Sequence, residues 1–94
     1  MVGQKVSIHL MKDTHKLVRQ WLKRASKDEY DFLVSEAHLT SFQTHILNRI
    51  IIHEDSQIKL SLDNNISLSS LKKIIHLIYL KTSKVLLKHF KHPL

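Results

Sequence analysis

The chain has 94 residues, 43% of them hydrophobic, which is enough for one compact domain and too few for two ordinary ones. It holds no cysteine, which excludes disulfides and thiolate metal sites, and its single glycine and single proline, Gly3 and Pro93, leave the interior without the chain-breakers that all-β folds use at their turns. The net charge of +7 is unevenly spread, with seven Lys or Arg against one acid from Met1 to Lys27, two against seven from Asp28 to Asp63, and six against none from Asn64 to Leu94. A terminal third that carries cations and no acid has the make-up of a polyanion-binding surface, because each cation that meets a phosphate releases condensed counterions. No apolar run approaches the roughly 20 residues needed to span a bilayer, and Met1 to Leu10 lacks the apolar stretch and cleavage site of a secretory signal. The expectation is a soluble, cytoplasmic, all-α single domain.

In chain order, Gln4 to Leu10 alternates at Val6, Ile8 and Leu10 as a half-buried strand would. Without an assured partner strand it reads as an extended or loose leader over residues 1–12. From Thr14 the period changes. Leu17, Val18, Trp21, Leu22 and Ala25 share one helical face, and Lys16, Arg19, Gln20, Lys23 and Arg24 the other. Ser26 with Glu29, and again Thr40 with Gln43, have the three-residue spacing of a capping box, so a new helix is predicted after each. The first carries Tyr30, Leu33, Val34 and Ala37 inward, which completes an N-terminal helical region over 14–38. The second carries Phe42, Ile46, Leu47, Ile50 and Ile51 inward.

Arg49 to Leu62 is open between two structures. Alternation at Ile58, Leu60 and Leu62 fits a β-hairpin, while Ser56 as a cap, with Ile58 and Leu62 one turn apart, fits a short helix, which is the preferred reading. Asp63, Asn64 and Asn65 then suit a turn, with Asn65 able to adopt the left-handed conformation. Ser67 stands at an N-cap position. Beyond it Leu68, Leu71, Ile74, Ile75 and Ile78 gather on one side of a helix, and Ser69, Lys72, Lys73, His76 and Leu80 on the opposite side. Cations near a helix N-terminus act together with the helix dipole in attracting phosphate.

Leu39 and Thr40, then Ile66 and Ser67 with Ser70, Leu71 and Lys72, then Ile78, Tyr79 and Lys81 together resemble the helix-turn-helix domains of sigma-factor region four and of LuxR-type regulators. Those families open with a Leu-Thr capped helix, continue through a supporting helix and a turn, and start the recognition helix with "I-S-x-x-T-V-K", often followed by "I-Y-x-K". The likeness spans residues 39–87, with Ser61 at the supporting helix's small position and Asn64 where the families carry Leu. It implies a small helical bundle containing a helix-turn-helix, double-stranded DNA as partner, and Ser67, Ser69, Ser70, Lys72, Lys73, His76 and Lys81 as DNA-binding residues. A second resemblance links "KVSIHLMKDTHKLVRQWLKRA" to the strand and first helix of ribbon-helix-helix dimers, in which Lys5, Ser7 and His9 would read bases.

Other chemistry is thinly represented. The eight histidines include no pair at i, i+4 with a neighbouring Glu, so no metal site and no cofactor is expected. Asp28, Glu29, Asp31 and Glu36 fall on one short helix in a chain too small to offer an ordinary cleft, so the expectation is non-enzymatic. Leu77 and Leu80, with Val85, Leu86, Leu87 and Phe90, supply more apolar surface than one small core covers. That surplus suggests a homodimer seam or a groove for RNA polymerase or another regulator, or else a helix buried on several sides by its own domain. Residues 88–94 read as a basic tail.

Overall fold

A computed structural model of the chain describes residues 15–89. The extended leader expected over 1–12, and the tail from Phe90 onward, lie outside these residues, as do Lys5, Ser7 and His9 of the ribbon-helix-helix reading. Among the described residues there are helices and no strand: α1 over 15–24, α2 over Lys27–Glu36, α3 over Ser41–Ile51, α4 over Gln57–Asp63 and α5 over Leu68–His89. Arg49 to Leu62 is therefore the end of α3, a short loop and α4, not a hairpin.

The starts of α2, α3, α4 and α5 are fixed by local hydrogen bonding. The Ser26 hydroxyl accepts from the Glu29 amide at 3.1 Å, and the Glu29 carboxylate accepts from the Ser26 amide at 2.9 Å. Thr40 and Gln43 make the same reciprocal pair at 3.1 and 3.0 Å. Ser56 caps α4 by accepting from the Lys59 amide at 3.1 Å, and Ser67 caps α5 by accepting from the Ser70 amide at 3.1 Å. A cap of this kind contributes about 1 kcal/mol, because it satisfies an amide that the helix leaves without a partner.

The helix ends need left-handed residues, and the chain makes them without glycine. His38, Glu54 and Asn65 have φ of 55°, 54° and 54°. After α2, the Leu39 amide reaches back to the Val34 carbonyl at 3.4 Å and the His38 amide to Ser35 at 3.1 Å. After α4, Ile66 reaches Ser61 at 3.1 Å and Asn65 reaches Leu62 at 3.3 Å. Both are Schellman closures, in which two orphan carbonyls gain donors as the chain reverses. Only Asn65 is a residue type suited to this conformation, so His38 and Glu54 carry a strain of about 1 kcal/mol each.

The core is built around α5, against which α2, α3 and α4 all pack. Val18, Leu33, Ile46, Leu47, Leu60, Leu71 and Leu86 are fully enclosed, with Leu22 and Ile78 nearly so. Burial of each such side chain contributes about 1.5–3 kcal/mol. The predicted stripes of α1 and α2 are the observed ones, with departures elsewhere: Leu68, expected on the inner side of α5, is exposed in its first turn, and two more follow. Phe42 is 41% exposed, because it sits in the first turn of α3, beyond the reach of the core that Ile46 and Leu47 fill. In α4 the helical period sends Leu60 inward and leaves Ile58 and Leu62 63% and 72% exposed, whereas a strand would have placed all three together.

Polar ties fasten the helices to one another. Arg49 of α3 binds Asp55 in the following loop through Nε, and Asp63 at the end of α4 through Nη2 at 2.8 Å. One guanidinium thereby fixes α4 to α3 and neutralises two acids of the chain's acidic middle. The Tyr30 hydroxyl of α2 donates to Asn48 of α3 at 2.6 Å. Burial pushes that phenol up to about 12.

Candidate nucleic-acid interface

Ser67 ends the reverse turn that Asn65 permits, and α5 leaves from it with a free outer side. Its oxygen also meets the hydroxyls of Ser70 at 2.9 Å and Ser69 at 3.2 Å. With about 100° between successive residues, Ser69, Lys72, Lys73 and His76 lie on one arc of α5, opposite the buried Leu71, Ile75 and Ile78. All four are exposed, as are Ser67 and Ser70. Neither Lys72 nor Lys73 pairs with a carboxylate among the described residues. The first three turns of α5 thus present hydroxyls, two ammonium groups and an imidazole, and the α5 sequence contains no acid.

Lys81 stands apart from this group. It lies about half a turn from Lys72 around the axis, is half-buried, and donates to Gln43 Oε1 at 3.1 Å. That oxygen is the one that caps α3, so the Lys81 ammonium ties the start of α3 to the middle of α5. Nothing in the local sequence signals a partner 38 positions away.

The basic face of α1 divides in the same way. Lys23 reaches Glu54 in the α3–α4 loop at 3.5 Å, while Lys16 and Arg19 are exposed nearer the start of the helix. His15 touches α5 through His76, with ring centroids 5.2 Å apart, and through Tyr79, at 5.0 Å. Burial, His76 and Arg19, in that order, hold the His15 imidazole below its ordinary value. Local sequence does not signal this role for His15, because its partners are on a helix distant in the chain.

The acidic residues lie on α2, with Asp28, Glu29, Asp31 and Glu36 all exposed. Asp31 pairs with Lys27 at 3.0 Å, and Glu36 meets His89 at 3.3 Å, beside an edge-on contact between Phe32 and His89. A separate cavity of about 650 Å³ opens between α1, α2 and α3, floored by Leu22, Tyr30, Ile51 and Ile52 and rimmed by Lys23 and Glu54. No residue of α5 lines it.

Among the described residues no group of three or more His, Asp or Glu is placed to hold a metal ion, and no helix is long and apolar enough to cross a membrane. No protein-family model, no curated protein and no solved structure matches the chain.

Proposed function

We propose that the protein is a non-enzymatic, DNA-binding transcriptional regulator of the helix-turn-helix type, with α4 as supporting helix and the first turns of α5 as recognition helix. The observation that supports this most is the uncovered arc of Ser69, Lys72, Lys73 and His76, which begins at a capped helix N-terminus and has no acid on its own helix. A helix about 10–12 Å across matches the roughly 12 Å width of the major groove. Lysine is a point charge without the bidentate fork of arginine, so this surface favours phosphate contact over guanine readout. The serine hydroxyls around the cap add donors for phosphate or base edges. A homodimer would join two such helices through the outer leucines of α5, Leu77 and Leu87, which are 42% and 55% exposed.

Titration of a random-sequence duplex at two ionic strengths tests the proposal. Affinity should fall steeply with salt, and the double variant Lys72→Glu, Lys73→Glu should lose it while remaining folded. Salt-insensitive binding, or binding that survives both reversals, would overturn it.

A second reading, a module that docks on RNA polymerase or another regulator, is favoured by the cavity between α1, α2 and α3. In that case a substitution at Ile52, which lines the cavity, should remove partner binding and leave any DNA affinity intact.

A further inference from the structure

The contact between α1 and α5 brings together groups that repel one another when protonated. His15 packs on His76 and Tyr79, and both His15 Nε2 and the Tyr79 hydroxyl are shut off from solvent without a hydrogen-bond partner among the described residues. Arg19, one turn along α1, raises the local positive potential felt at His15 and at Tyr79. From α5, Lys72 lies one turn before His76, with Lys73 beside it. From α2, Tyr30 is within electrostatic reach of Tyr79, and its hydroxyl is already donated to Asn48 of α3. No described carboxylate pairs with any of these cations; Asp13 lies two positions before His15 in the sequence, outside the described residues.

We infer that the DNA-binding surface continues from α5 across this seam onto α1, and that duplex binding takes up a proton at His15 where it packs on His76. The inference rests on the DNA-binding reading and extends it to Arg19 and to a proton linkage. A duplex phosphate lying over Lys72, His76 and Arg19 supplies the anion that the seam lacks. It gives the exposed His76 side chain an anionic partner and offsets the repulsion that His76 and Arg19 add at His15 to the larger effect of burial. The sign follows from linkage. A histidine that binds its proton more tightly in the complex strengthens binding fully below its free-state value, and the gain disappears as pH rises through the bound-state value. Each unit of difference corresponds to about a tenfold change in affinity.

The test uses the full chain and a labelled random-sequence duplex at constant ionic strength, near pH 6 and near pH 8, with His15→Gln, His76→Gln, Arg19→Ala and, as a control on α3, His45→Gln. The wild type should bind about fivefold to tenfold more tightly at the lower pH. His76→Gln and His15→Gln should flatten that difference, His45→Gln should keep it, and Arg19→Ala should reduce the salt slope by about one. The imidazole resonances of His15 and His76, followed in the wild type with and without duplex, read the same linkage without a variant that must fold. The His15 resonance should titrate at higher pH in the complex, and that of His76 should move when duplex is added. Identical titrations in the two states, or a pH dependence that survives both histidine substitutions, would overturn the inference while leaving DNA binding in place. No binding at either pH would remove the DNA-binding reading together with it.

Discussion

The two halves of α5 belong to one helix and face different surroundings. Over its first ten residues only Leu71 and Ile75 are buried, and the opposite arc is open. Over the next nine, Ile78, Tyr79, Thr82, Ser83, Val85 and Leu86 are buried, leaving Lys84 exposed. The second half is gripped on several sides. Lys81 meets Gln43 of α3, His89 meets Glu36 and Phe32 of α2, and the buried Thr82 hydroxyl turns back to the Ile78 carbonyl at 2.9 Å. The first half has α4 behind it and the Asn65 turn before it. A single long helix thus serves as pillar at one end and as presented surface at the other, and its sequence changes character where the surroundings change.

Substitutions that separate the halves should differ in kind. Leu86→Ala, which opens a cavity in the enclosed half, should cost about 2–5 kcal/mol in urea or thermal unfolding and destabilise the whole chain. Lys72→Glu should leave stability within about 0.5 kcal/mol but weaken duplex binding by about tenfold or more, whereas Lys84→Glu, equally exposed on the other half, should weaken it far less. Asn65→Val forces a β-branched side chain into the left-handed region at the junction and should cost about 1–2 kcal/mol, with Asn65→Gly close to neutral. Where the two halves meet, His15 gives the smallest effect. Its depressed value means that the unfolded chain binds the proton more readily, so stability should fall as pH drops below 6.5, and His15→Gln should remove part of that slope in melts across the range.

The sequence made the helix starts legible, because Ser26 with Glu29, Thr40 with Gln43, and Ser67 are local signals read by the backbone within one turn. Asn65 was legible for the same reason. His38 and Glu54 were not, since neither residue type announces a left-handed turn, and their strain is held by the closures around them. The α4 segment shows how apolar alternation misleads. Ile58, Leu60 and Leu62 fit a strand by period, yet Ser56 and the Arg49 clamp on Asp55 and Asp63 define a short helix that buries Leu60. In the candidate interface, Lys72, Lys73 and His76 were legible from helical phase. Lys81 matched a family pattern by position, but its ammonium is occupied by Gln43, which sequence spacing could not reveal. His15 was hidden likewise, because its contact with His76 and Tyr79 crosses most of the chain, whereas helical phase had already put Arg19 on the basic face of α1.

An amide chemical-shift map of the full chain titrated with a random-sequence duplex reads directly which surface meets the duplex. The expected result is a continuous set of perturbed amides from Ser67 to His76, joined by those around His15 and Arg19, and little change from Lys84 to Lys88. Perturbations confined to the α1, α2 and α3 cavity, or none at duplex concentrations that produce salt-dependent binding, would contradict it.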